Sequence, residues 1–310
     1  MEHHTAGDPI TGLKWTHKTT AKIGRELASL GIAVSANTVA RLLKGLKFSL
    51  RVNHKKLAGT SSPYRNQQFD YIHRLRRRFE RQALPVISID TKKKEQVASF
   101  KNPGTTWERE PVLVRDHDFK TDACGTAIPW GLYDTGANRG HLFIGTSHDT
   151  PAFAVTALAR WWTRTGRRRY PHARRLLILA DGGGSNGSRN RAWKHELQLQ
   201  LCNRFGLDVT VCHYPPGTSK WNPIEHRLFS EISKNWAGQP LESYETILNF
   251  IRTTKTQTGL VVTADMLNGD YPTGVKISAD QMDKLNLRRH RVLPIWNYTL
   301  VPAKTTSDKM

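Results

Sequence analysis

The chain has 310 residues, 38% of them hydrophobic, with nine Trp and ten Phe; that is material for a large core and excludes a disordered protein. A formal net charge of +21 points to a polyanionic partner, nucleic acid first, but fits a structural nucleic-acid-binding protein as well as an enzyme. No window of about 18 apolar residues exists, so no helical membrane span is expected, and the N-terminus lacks the apolar stretch of a signal peptide.

Residues 1–15 are polar, contain Gly7-Asp-Pro and Gly12, and read as a loop. Across 19–30 the residues Ile23, Leu27 and Leu30 recur at helical spacing, and Gly31 ends that helix. Ser35 is placed to cap a second helix over 36–46, with Val39, Leu42, Leu43 and Leu46 as its apolar face. Two short helices joined by a glycine-containing turn predict a helix-turn-helix domain over 1–60. The polar face of the second helix carries the candidate DNA-contacting residues Asn37, Thr38, Arg41, Lys44 and Lys47. Short helix pairs are common, and the basic run Arg51-Val-Asn-His-Lys-Lys56 is what adds weight here. Residues 61–84 read as a basic linker helix, with Phe69, Ile72, Leu75 and Phe79 inward and Arg74, Arg76, Arg77, Arg78 and Arg81 outward. That basic face either tracks DNA or is simply solvated.

From Pro85 the texture changes to alternating strands and helices. Strands are predicted at 86–89, 129–134 and 141–145, the last two joined by a turn at 136–140. A helix at 151–165 follows, then strand 176–180, helix 189–205, strand 207–212 and helix 223–236. This order predicts an α/β fold over 85–240, a mixed sheet with flanking helices. Residues 241–310 are left as a C-terminal extension with a polar tail; Ile247, Phe250 and Ile251 are its apolar candidates for a core. Cys124, Cys202 and Cys212 have no paired spacing and are expected to be reduced core residues of a cytoplasmic protein.

Three carboxylates stand out. Asp90 and Asp181 follow predicted strands, and Glu225 sits just inside a helix that begins after Tyr214-Pro-Pro-Gly-Thr-Ser-Lys-Trp-Asn-Pro-Ile. Asn222 is placed to cap that helix and Pro223 suits its first position. Cutting a phosphodiester needs an activated water or 3′-hydroxyl and a stabilised leaving oxygen, and two Mg²⁺ ions on shared carboxylates supply both. Asp90 is the expected bridging ligand, with Asp181 and Glu225 completing the two sites, and Mn²⁺ is an expected substitute. A carboxylate on a helix is more often a solvated face, and Glu95, Asp149 and Glu196 are rivals, Glu196 reading as a surface residue. The glycine-rich run Asp181-Gly-Gly-Gly-Ser-Asn-Gly187 lacks the Lys-Ser/Thr of a nucleotide P-loop; it reads as a flexible loop admitting a DNA backbone or as a plain turn, with Asn186 a DNA contact. Lys220, His213 and His226 are candidate phosphate contacts, although Cys212-His213 is more simply a buried strand end.

The element order resembles the ribonuclease-H-like fold of polynucleotidyl transferases, in which acids stand on the first strand, after the fourth strand and on a late helix. The loop before Glu225 resembles that of mariner-like DDE transposases. The wider set of motifs resembles the Rhodopirellula-type DDE transposase family of bacterial insertion sequences: Gly12-Leu-Lys-Trp-Thr, Val39-Ala-Arg-Leu-Leu, Ser88-Ile-Asp-Thr-Lys-Lys-Lys-Glu95, Ala180-Asp-Gly-Gly-Gly-Ser-Asn-Gly187, Cys212-His-Tyr-Pro-Pro-Gly-Thr-Ser-Lys-Trp-Asn, Glu225-His-Arg-Leu-Phe and Trp296-Asn-Tyr. The resemblance implies cut-and-paste transposition on terminal inverted repeats and target DNA. It also implies a homodimer or larger assembly on DNA, no membrane, and a bacterial cytoplasm at the nucleoid. The family pattern carries a further N-terminal helical module, so an N-terminally truncated copy is expected. The alternative is a transposase-derived repressor or inhibitor that binds the repeats without moving DNA; three converging carboxylates have no use in such a binder. An RNA-processing nuclease of the same fold fits the helix-turn-helix less well.

Overall fold

A computed structural model describes residues 5–7, 14–16, 18–50 and 62–303. The chain forms two compact units, Met1–Ala58 and Gly59–Met310. The expected basic run 51–56 and the tail beyond 303 lie outside the described residues.

In the first unit, β1 (Thr5–Gly7) and β2 (Lys14–Thr16) pair antiparallel where a loop was expected. Each strand is only three residues long, too short to show a period of two. α1 (Thr20–Ser29) is capped by the Thr19 side chain, which accepts from the Lys22 N–H. It ends at Gly31 (φ 83°), with the Ile32 N–H returning to the Leu27 carbonyl at 2.8 Å. α2 (Ala36–Gly45) is capped by Ser35, which accepts from the Thr38 N–H at 3.1 Å. It ends the same way, with Phe48 N–H on the Leu43 carbonyl and Lys47 left-handed at φ 62°. Lys47 therefore lies beyond the helix rather than on its polar face. Ile23, Gly24 and Val39 are the buried residues of the pair. The expected apolar face is only partly used, since Leu42 and Leu46 are 53% and 69% exposed.

The second unit opens with α3 (Arg65–Arg81). There follow β3 (Val86–Thr91), β4 (Glu95–Val97), β5 (Gly125–Asp134), β6 (Arg139–Gly145) and α4 (Pro151–Trp161). α4 passes through a π-helical stretch, Trp162–Gly166, into the single turn α5 (Arg167–Arg169). Next come β7 (Arg175–Ala180), α6 (Arg191–Leu197) with a π-helical continuation Gln198–Asn203, and β8 (Asp208–His213). A helix starting at Pro223 is π-helical over Glu225–Phe229 and continues as α7 (Ser230–Asn235). α8 (Tyr244–Thr253), β9 (Val261–Met266), α9 (Ala279–Asp283), β10 (Leu287–Arg289) and β11 (Asn297–Leu300) complete it.

The sheet order is β10-β11-β8-β7-β3-β5-β6-β9, with β4 pairing on β5. β3, β7 and β8 run parallel to their neighbours in that group, whereas β3, β5 and β6 pair antiparallel. The five inner strands are the ribonuclease-H-like mixed sheet that the element order predicts. Residues beyond 240, which had no expected role in the sheet, add β9 parallel to β6 and β11 antiparallel to β8.

Side chains alternate across the sheet, so each strand serves two faces. One face is filled by large residues: Ile87, Ile89, Trp130, Leu132 and Phe143 pack on Phe153, Leu158 and Trp161 of α4 and on Trp193 of α6. The opposite face receives the helix that begins at Pro223 through Ile224, Leu228, Phe229 and Ile232, together with α8. α3 covers the rest of that face with Ile72 and Phe79 against Val86, Leu177 and Leu179.

Candidate active site

Asp90 shares its face of β3 with Ser88 and Val86, the face opposite the large aromatic residues. β7 lies parallel to β3 with Ser88 level with Leu179. Two residues further along each strand, that register brings Asp90 and Asp181 side by side at the same edge of the sheet. Asp181 follows the last residue of β7, on the face of Leu177 and Leu179.

Glu225 reaches this edge because its helix lies unusually close to β5 and β6. Gly131 pairs with Asp90 across the β3–β5 ladder. A Cβ at Gly131 would stand 2.5 Å from Phe229 and 3.0 Å from Ile224; one at Gly140 would stand 2.3 Å from Leu228. The two glycines thus make room for the residues on either side of Glu225. Polar bonds then fix the helix to β3. The Ser88 hydroxyl donates to Asn222 Oδ1 and accepts from the Ile224 N–H at 3.0 Å, and Asn222 Nδ2 donates to the Ile89 carbonyl at 3.1 Å. Asn222 was expected to cap its helix with its side chain. Instead that side chain spans to β3, Ser88 satisfies the N–H of Ile224, and only the Asn222 backbone carbonyl accepts from the Glu225 N–H. Glu225 opens a π-helical stretch, a feature often found at functional sites.

The carboxylates act on one another. Burial first, then Asp181, with a further contribution from Glu225, push the Asp90 carboxyl up to about 8, against the pull of the Thr91 N–H. Burial likewise raises Asp181, with Glu225 and Asp149 adding to it and the Gly183 N–H opposing. Among the described residues no three His, Cys, Asp or Glu side chains are drawn together tightly enough to enclose an ion by themselves.

Two of the three rival acids are otherwise engaged. Glu95 accepts from Lys92 Nζ at 2.9 Å, and that Lys92 nitrogen also sits 4.4 Å over the Trp236 ring. Glu196, expected at the surface, is half-buried and accepts from Gln200 at 2.6 Å. Asp149 lies near Asp181, with one buried oxygen that has no partner among the described residues.

Several expected contacts fall elsewhere. His213 is fully buried and cannot meet a phosphate; its ring binds the Asp181 backbone carbonyl at 2.7 Å. Asn186 is also buried, because the turn Gly184–Asn186 folds inward. Gly183 and Gly184 remain exposed beside a cavity of about 470 Å³ that Arg189, Pro216 and Trp296 also line. Lys220 is exposed on the turn Ser219–Trp221, where its carbonyl accepts from the His226 ring. Asn37, Arg41, Lys44 and Lys47 are exposed in the other unit, and Thr38 is half-buried with its hydroxyl 3.0 Å from that of Ser35. Cys202 and Cys212 are buried as expected, but Cys124 is exposed.

Sequence reasoning missed Ser88 and Gln68. Gln68 on α3 is buried and donates to the His213 carbonyl and to Asn297 Oδ1, both at 2.8 Å, while Asn297 donates back at 2.7 Å. A glutamine on the apolar stripe of a basic helix was the available signal.

The sequence matches the family model described as the Rhodopirellula transposase DDE domain over residues 1–302. No curated protein matches the sequence. Among solved structures, the chain is similar to the Mos1 transposase paired-end complex with left transposon end, at 15% identity and TM-score 0.46, covering 76% of this chain and 65% of that one. It is similar also to the Mos1 mariner paired end complex with Mn (16%, 0.44, 76% and 65%) and to the Mos1 strand transfer complex (16%, 0.44, 76% and 64%). The chain spans less than two thirds of the length of those solved chains. With an acid-bearing sheet of the predicted order and a family model that covers all but its last residues, the chain belongs to the Rhodopirellula transposase DDE-domain family.

Proposed function

We propose that the chain is a DNA transposase of an insertion sequence, a nuclease and strand-transfer enzyme that acts on terminal inverted repeats with Asp90, Asp181 and Glu225 as its acid centre. The observation that carries this reading is the convergence of three carboxylates from β3, the end of β7 and the Pro223 helix on one edge of the sheet, within a chain of net charge +21. A pure DNA binder gains nothing from such a cluster, since part-buried like charges cost stability unless something neutralises them.

The donor set fits a divalent cation. All three groups offer hard anionic oxygens, and an open arrangement suits Mg²⁺ or Mn²⁺, which need few protein ligands. When bound, two such ions would activate the attacking oxygen and stabilise the leaving oxygen of an in-line phosphodiester displacement. The protein's own part is positional. β3 and β7 hold Asp90 and Asp181 level, the Ser88–Asn222 bonds fix the start of the Glu225 helix, and the exposed glycines after Asp181 let a DNA backbone approach. Lys220 is suited to meet a phosphate there. In the helix-turn-helix unit, α2 is the proposed reader, with Asn37 and Arg41 toward base edges and Lys44 and Lys47 toward the backbone. Thr38, occupied at the N-cap, is suited to a backbone contact. The proposed assembly is a homodimer or larger on DNA.

The test is nicking of inverted-repeat DNA in Mg²⁺ or Mn²⁺. Asp90→Asn, Asp181→Asn and Glu225→Gln should each lower it by about three orders of magnitude or more while DNA affinity stays near native. Near-native cleavage by any one of them removes that residue from the centre.

A further inference from the structure

Asp181 is held from behind by a set of buried side chains on the aromatic face of the sheet. His213 is the last residue of β8 and shares the face of Val209 and Val211. Its Nδ1 lies 2.7 Å from the Asp181 backbone oxygen, and its Nε2 lies 3.2 Å from the Tyr298 hydroxyl. The Trp193 indole Nε1 lies 3.0 Å from that same hydroxyl. Trp193, Tyr298 and His213 are all fully buried, so these bonds have no competing water.

The donor and acceptor roles follow from chemistry at both ends. An indole N–H can only donate, so the Tyr298 oxygen accepts from Trp193. The one phenolic proton is then free for His213, and a bare Nε2 accepts it. A backbone carbonyl can only accept, so His213 Nδ1 must carry the proton it gives to Asp181. The carbonyl end sets the proton on Nδ1, and in the neutral ring that burial favours Nε2 is then bare for the Tyr298 hydroxyl, so the four groups form one directed chain from Trp193 to Asp181.

The rest of His213 is fixed as well. Its N–H donates to the Trp296 carbonyl at 2.9 Å and its carbonyl accepts from Gln68. Tyr298 comes from β11 and Trp193 from α6, so an element that follows the acid-bearing strands and one that precedes β8 both bear on the residue after β7.

We propose that Trp193, Tyr298 and His213 are positioning residues, a directed hydrogen-bond relay that orients the Asp181 backbone and hence its carboxylate toward a divalent cation. The proposal rests on the reading of Asp181 as a member of the acid centre. Groups that orient a metal ligand from behind typically set affinity by about 10- to 100-fold.

Two measurements on the full chain test it. Nitrogen NMR of the His213 ring at neutral pH should find the proton on Nδ1 and Nε2 bare; a proton on Nε2 overturns the relay. Calorimetric titration of the DNA-free chain with Mn²⁺ then reads positioning. His213→Leu should weaken Mn²⁺ binding about tenfold, whereas His213→Asn, whose amide N–H stands near the Nδ1 position, should stay within about threefold of native. Tyr298→Phe keeps the aromatic packing and should weaken binding at least about threefold, which guards against a His213→Leu chain that fails to fold. Native-like Mn²⁺ affinity in Tyr298→Phe, beside a weakened Asp181→Asn control, overturns the positioning role. Native-like affinity in Asp181→Asn itself sinks the acid-centre reading instead, and the ring tautomer still decides whether the relay exists.

Discussion

The two faces of the central sheet are built differently. One is crowded with Trp130, Trp161, Trp193, Phe153 and Tyr298, none of them more than 1% exposed. The other is thinned by Gly131 and Gly140 and tied by polar bonds through Ser88, Asn222 and Gln68. All three proposed catalytic acids come together on the thinned side. The contrast teaches that this fold places its stability and its chemistry on opposite sides of the same strands. His213 joins the two, packed among the aromatic residues while its ring holds the backbone of Asp181.

The largest expected effect is on the crowded face. Phe153 is fully buried and packs edge-on to Tyr271 at 5.2 Å. Phe153→Ala should cost about 3–5 kcal/mol of unfolding free energy, while the fraction that remains folded keeps its cleavage rate. Denaturant titration with cleavage per folded molecule checks both; a cleavage defect that exceeds the unfolded fraction would blur the distinction between faces.

Acid should act through the same face. Burial and Arg139 push the His141 ring down from 6.5 to about 4, and His141 lies against Trp161 with one nitrogen on the Thr263 hydroxyl. The unfolded chain binds a proton below about 6.5 that the folded chain refuses until about 4. The contribution of His141 is therefore intact above 6.5 and is lost as pH drops toward 4, by up to about 3 kcal/mol, opposite in sign to that of Asp90 in the same range. His141→Gln should flatten that slope in unfolding curves taken between those values; an unchanged slope assigns acid lability to other groups.

Smaller stability effects with larger functional ones are expected on the thinned face. Ser88→Ala strands Asn222 Oδ1 and the Ile224 N–H and should cost about 1–3 kcal/mol. Gly131→Ala must displace Phe229 and Ile224, at about 1–3 kcal/mol for overpacking. Both should slow cleavage more than tenfold at saturating DNA, because a shift of Glu225 by about 1 Å is enough to cost about a hundredfold. Variants that lose stability alone would make Ser88 and Gly131 ordinary packing residues.

Much of this was legible in the sequence because it is local. The Ser35 cap, the Gly31 stop and the apolar runs ending at Asp90 and Asp181 each occupy a few adjacent residues. The bonds that assemble the site are not local. Ser88 and Asn222 are 134 residues apart, and Gln68 and Asn297 are 229 apart, so no window of sequence contains either pair. β10 and β11 are short, and β9 is an edge strand with Val261 and Thr263 exposed, so only sheet pairing reveals them. Lys47 and Ala83 end their helices in the left-handed region without the glycine that announced Gly31. The exposed Leu42 and Leu46 show that a helical stripe records an apolar face and not how much of it is covered.

The central claim is that the thinned face accepts a cost in stability to hold three carboxylates together for a cation. Thermal unfolding of native chain and Asp90→Asn at pH 8, in chelator and in Mn²⁺, tests it most directly. A folded carboxyl raised from 3.8 to about 8 penalises the folded state increasingly as pH rises through that window, and Asn removes the penalty. In chelator, Asp90→Asn should melt above the native chain, and Mn²⁺ should raise the native midpoint but leave the variant nearly unmoved. An Asp90→Asn chain that melts at or below native in chelator, or that gains as much from Mn²⁺ as native does, would contradict the account.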